Sequence, residues 1–87
     1  MEQKCYTLTS LQRKLVGLLS DHVGVCVVRP HGVGQCCRLS NAGLDQQWRR
    51  EHNKPIQAHT IAALTCVGVL VEQRTNVETI YRLRGDQ

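Results

Sequence analysis

Eighty-seven residues make one domain and leave no room for a second core. With 41% hydrophobic residues but no Phe, one Trp and two Tyr, the core must be built from Leu, Val, Ile and Ala, as one layer of helices against a small sheet. Eleven Lys and Arg against seven Asp and Glu give a net charge of +4, which permits phosphate contacts and serves an acidic protein partner equally well. No run of about 18 apolar residues exists to span a membrane, and the polar start Met1-Glu2-Gln3-Lys4-Cys5 lacks the apolar stretch of a secretory signal.

In chain order, Thr9 and Gln12 form the two ends of a capping box and open a first helix. Leu8, Leu11, Leu15, Leu18, Leu19 and the amphipathic His22 recur on one face of it, with Arg13 and Lys14 off the stripe in solvent. Gly24 is placed to stop it in a left-handed conformation. Val25-Cys26-Val27-Val28 reads as a strand, residues 29–34 as a turn, and Gln35-Cys36-Cys37-Arg38-Leu39 as a strand pairing back.

Ser40 or Asn41 caps a second helix from Ala42 to His52, whose thin apolar face is Leu44 and Trp48 with Ala42 nearby. Asn53-Lys54-Pro55 ends it, because the residue before proline avoids helical geometry. A third helix is expected over 58–67, with Ile61 and Leu64 inward, Ala58 and Val67 or Thr65 flanking, and Gly68 as its stop. Val69-Leu70-Val71-Glu72 and Glu78-Thr79-Ile80-Tyr81-Arg82-Leu83 are strands joined by a turn over 73–77. The chain then reads as a single domain, 1–87, with flexible ends at 1–6 and 84–87.

That order of elements resembles the winged helix-turn-helix superfamily, most strongly over residues 55–83. The run from Pro55 to Glu72 is similar to the third helix and first wing strand, with Ile61 and Leu64 three apart and Gly68 closing the helix. Ile80-Tyr81-Arg82-Leu83 resembles the returning strand. The resemblance implies an α+β fold of three helices with a C-terminal β-hairpin wing. The chain departs from the family in two respects: a short hairpin lies between helices 1 and 2, where one strand is usual, and the third helix carries no Lys or Arg. In DNA-binding members that helix enters the major groove. Here Gln57, His59, Thr60, Ala63 and Thr65 are its expected exposed residues, and Gln, His and Thr can meet base edges.

Basic residues fall into groups: Arg13 and Lys14; Arg49, Arg50 and Lys54; Arg74 in the wing turn; and Arg82 with Arg84. A winged helix would collect Arg49, Arg50, Lys54 and Arg74 on one phosphate-facing surface, with His52 and His59 close by. Solvated charge on exposed faces is the plainer alternative.

Five cysteines form no disulfide framework, and free thiols in the cytoplasm follow. Cys26, His31, Cys36 and Cys37 share the first hairpin, but no ligand pair has zinc spacing, so no metal or cofactor is expected. Cys26, one of Cys36 and Cys37, and Cys66 read instead as small buried hydrophobes. Carboxylates are scattered and no nucleophile has an orienting pair, so no catalytic residues are expected. Trp48 reads as a core anchor.

The expected function is DNA binding by a small transcriptional regulator or accessory factor that grips duplex DNA mainly through phosphates. Arg49, Arg50, Lys54 and Arg74 would meet phosphate, while Gln57, His59 and Thr60 would approach the major groove. The alternative is a protein–protein interaction module: an adaptor, a subunit or a small inhibitor. RNA is a less attractive partner without exposed aromatics. No extra terminal helix offers itself for pairing, which leans toward a monomer.

Overall fold

The computed structural model describes residues 8–32, 34 and 36–84. Helix α1 spans Ser10–Asp21 and opens on the capping box: the Thr9 hydroxyl accepts from the Gln12 amide at 3.2 Å, and Gln12 Oε1 accepts from the Thr9 amide at 3.0 Å. Leu15 and Leu19 are buried, with Leu8, Leu11, Val16 and Leu18 packed against the core around them. His22 caps the helix but is exposed, so the apolar stripe stops at Leu19. Gly24, at φ 89°, turns the chain toward the sheet.

Strands β1 (Val27–Pro30) and β2 (Arg38–Leu39) form the expected hairpin, with Val27 opposite Leu39 and Val28 opposite Arg38. The return strand is two residues long. Ser40 closes it, donating its amide to the Cys26 carbonyl at 2.8 Å and accepting the Cys26 amide on its hydroxyl at 3.1 Å. Ahead of β2, Cys37 makes an isolated bridge to Ile56, while Gln35 lies outside the described residues.

Helix α2 (Ala42–His52) is capped by Asn41, whose Oδ1 accepts from the Leu44 amide at 3.0 Å. It ends as Asn53 takes a left-handed conformation, φ 61°, a geometry asparagine tolerates better than most residues. Helix α3 (Ala58–Cys66) follows after a short turn and stops at Gly68, φ 86°. Strands β3 (Leu70–Arg74) and β4 (Glu78–Leu83) then form a tight hairpin. The Thr75 hydroxyl knits its turn, donating to the Glu78 carbonyl and accepting the Glu78 amide. Beyond β4 the Arg84 amide donates to the Val69 carbonyl at 2.8 Å. Residues 1–6 and 85–87 lie outside the described residues.

The two hairpins join through β1 and β4 into one antiparallel sheet of order β2-β1-β4-β3. Side chains alternate faces along a strand, so residues in register share one face. One rung is Leu39–Val27–Tyr81–Glu72, and its apolar members pack with Leu15, Leu19, Trp48, Ile61 and Leu64 from the helices. The opposite face presents Arg38, Val28, Ile80 and Gln73 in register. The molecule is therefore an α+β domain with three helices on one face of a four-stranded antiparallel sheet, and every element contributes to one core. No helix among the described residues is long and apolar enough to cross a membrane.

Candidate functional site

One rung beyond Val27 and Tyr81, the inner face of the sheet changes character. Arg29 on β1 stands opposite Thr79 on β4, which stands opposite Arg74 on β3, so two cations flank one hydroxyl across three strands. His31 follows two residues after Arg29, held by its amide to the Val77 carbonyl at 3.0 Å, and its Nε2 shares a 2.7 Å hydrogen bond with the buried Thr79 hydroxyl. Arg29, Pro30, His31, Gly32, Arg74 and Thr79 line a cleft of about 360 Å³ containing no carboxylate wall among the described residues. Arg29 also lines a second cleft of about 220 Å³ with Cys36, Cys37, Pro55, Ile56, Gln57 and Ala58. Arg29 therefore borders both the cleft against β3 and β4 and the cleft at the start of α3.

The sequence pattern puts Arg74 in the wing turn, but β3 runs further along the pleat and takes it in as its last residue. This swings its side chain onto the helix-facing side of the sheet instead of the hairpin tip. Its Nη2 lies 3.7 Å from Glu72 Oε2 on the same side, a loose exposed pair of little energetic weight. Sequence patterning misses Arg29 and His31 because it assigns them to a turn. The signal that could have found them is the alternation of β1, which puts Arg29 on the same face as buried Val27.

The other expected residues divide by environment. Arg50 and Lys54 are exposed, on the last turn of α2 and in the α2–α3 turn. Arg49 is exposed too, but its Nε donates to Asp45 Oδ2 at 3.0 Å, so part of its guanidinium is committed to the fold. Gln57 is half-buried at the α3 N-cap and makes no side-chain cap bond; its side-chain amide donates to the Pro55 carbonyl at 3.4 Å. His59 is exposed on the first turn of α3.

Thr60 is 4% exposed and packs inside, so it has no route to a base edge from this conformation. His52 is also turned inward. Its ring lies 4.1 Å from that of Trp48, and its Nδ1 donates to the Trp48 carbonyl at 3.0 Å. That leaves Nε2 buried without a hydrogen-bond partner, so His52 does not belong to a phosphate-facing surface.

The outward face of α3 consists of His59, Ala62, Ala63, Cys66 and Val67, spaced three and four apart and without formal charge. Cys66 is exposed here, against the expectation of a buried hydrophobe. Of the other described cysteines, Cys26 and Cys37 are buried and Cys36 is exposed. Among the described residues no group of three or more His, Cys, Asp or Glu could hold a metal ion.

Burial pushes the Cys37 thiol above its ordinary pKa; the charge of Arg29 pulls it down and neighbouring Cys36 adds a smaller upward push. Because the fold favours the neutral thiol, this contribution to stability is complete below the ordinary thiol pKa and fades as the pH rises past it. In the native protein at pH 8, iodoacetamide is expected to modify Cys36 and Cys66 and to spare Cys26 and Cys37 until denaturant is added. Peptide mapping reads this directly, and early loss of Cys37 would contradict the packing at β2.

No family model matches the chain, and neither a curated protein nor a solved structure matches it.

Proposed function

We propose that this domain is a winged-helix module that binds duplex DNA, mainly through its phosphates, as a small regulator or accessory factor. The observation that carries the reading is the placement of basic side chains around the end of the domain where α3 begins. Arg29, His31 and Arg74 gather on the adjoining rungs of the sheet, and Arg50 and Lys54 occupy the end of α2 and the turn into α3. The element order supports it as well: β1 pairs with the last strand, and a two-stranded hairpin follows the third helix. With no Lys or Arg on α3, affinity rests on backbone contacts and base reading is left to Gln57 and His59.

Anisotropy of a labelled mixed-sequence duplex at about 50 and 200 mM salt tests this, since phosphate-dominated binding weakens by orders of magnitude over that range. Replacing both Arg50 and Lys54 with alanine is expected to weaken binding similarly on every duplex sequence while leaving the Asp45–Arg49 pair intact. Absence of binding at the lower salt would sink the reading.

A second reading has its own observation. The uncharged strip His59, Ala62, Ala63, Cys66 and Val67 leaves one face of α3 apolar and without a partner in the fold. A helix face of small side chains suits close packing against another protein, which favours an adaptor or subunit role if duplex binding fails.

A further inference from the structure

We infer that the cleft between Arg29, His31, Arg74 and Thr79 is a seat for a single phosphate group. The inference rests on the duplex-binding reading only for the source of that phosphate; the seat itself follows from local geometry. Two guanidinium groups that share a face of the sheet and flank one threonine are poised to take the same oxyanion from opposite sides. His31 fixes the Thr79 hydroxyl through its 2.7 Å hydrogen bond, which sets a third polar group at the floor of the cleft. The site is built rather than incidental, since Thr79 is 3% exposed while both arginines keep their heads in solvent.

Like charges brought together in this way repel, and the described residues do little to relieve it. Glu72 approaches Arg74 only to 3.7 Å and does not line the cleft; Arg29 makes no ion pair among the described residues. Glu78 stands opposite Pro30, on the other face of the sheet. Arg29 also lies toward the start of α3, whose first turn contains no acidic residue and whose N-cap side chain makes no capping bond to the helix. The partial positive charge of that helix end adds to the field of the arginines instead of opposing it. A bound oxyanion offsets the repulsion, and the fork of an arginine matches two oxygens of a phosphate.

Two measurements on the full chain test the seat. The first is the slope of log affinity against log salt for the duplex, which changes by about 0.9 per phosphate neutralised. Replacing Arg29 and Arg74 together with glutamine is expected to make the slope shallower by about one such step, because both cations serve one phosphate. A loss of two steps would overturn the shared seat in favour of separate contacts, and an unchanged slope with intact duplex binding would overturn the duplex as the source of its phosphate while leaving the DNA reading standing.

The second is titration of the unmodified chain with inorganic phosphate, followed through backbone amide resonances. Shifts at His31 and Thr79 that disappear in the double variant are expected. If those shifts occur in a chain that ignores the duplex, the seat holds, its ligand is a free phosphate or phosphomonoester, and the DNA reading fails. If neither the slope nor the resonances respond, the seat does not exist. Both arginines are exposed, and a thermal midpoint for the variant no lower than that of the unmodified chain confirms that the comparison is between folded chains.

Discussion

Replacing Trp48 with alanine is expected to lower the unfolding free energy by about 3–5 kcal/mol, the cost of losing a buried aromatic and leaving its space unfilled. Trp48 is 2% exposed in a core otherwise made almost wholly of aliphatic side chains, and no second large residue on α2 shares its burial. A domain of this size has a total stability of roughly 4–13 kcal/mol, so the variant gives up a large part of what it has. The His52 ring loses its stacking partner in the same step. Urea unfolding followed by far-UV circular dichroism measures the effect, because the chain's one tryptophan is no longer there to report it. Phenylalanine at the same position is expected to recover a substantial share. A cost below about 1 kcal/mol would mean that α2 is held by its caps and not by its core face.

Removing the Asp45 carboxylate has the second-largest effect. Its Oδ1 accepts the Leu39 amide at 3.1 Å inside the protein, and its Oδ2 accepts from Arg49 Nε. With alanine there, the Leu39 N–H is left buried without an acceptor, which costs about 1–3 kcal/mol. The Arg49 pair adds little, since Arg49 is 44% exposed and water screens it. The expected order of damage is therefore Asp45→Ala well above Asp45→Asn, which keeps an acceptor for Leu39, with Arg49→Ala mildest. Thermal midpoints resolve the series, at roughly 4–8 °C per kcal/mol for a domain of this length. Equal losses for Asp45→Ala and Arg49→Ala would assign the effect to the ion pair and rule out the strand amide as its source. The Asp45–Leu39 bond ties α2 to β2 and so fixes where the α2–α3 turn, with Lys54, leaves the sheet.

What could be read from the sequence was what is settled by neighbours in the chain. The capping box at Thr9 and Gln12, the span of α2, the span of β4 and the left-handed glycines after α1 and α3 all depend on contacts within a few residues. The candidate site depends on register between distant strands, and that is where reading from pattern failed. Arg29 is close to Arg74 only because β4 lies between their strands, and no local signal encodes that pairing. Helix α3 failed for a different reason. Ala58, Ile61, Ala62, Ala63, Leu64, Cys66 and Val67 make it apolar nearly all round, so periodicity cannot say which side faces in. The result is Thr60 inside and Cys66 outside, each the reverse of its expected placement.

The seam between β1 and β4 also governs how the chain reaches its folded state. Val27 and Tyr81 are partners although well over half of the sequence separates them. Bringing such distant positions together costs about 3–4 kcal/mol of chain entropy before any bond is made. The two hairpins at either side of the seam are individually marginal in water, so neither persists until the other is in place. Folding is then expected to be slower than the helices alone would allow, because this pairing joins the first third of the chain to its end. Once formed, the same seam leaves no separable half: β4, which completes the second hairpin with β3, is also the strand that holds β1 and the first hairpin.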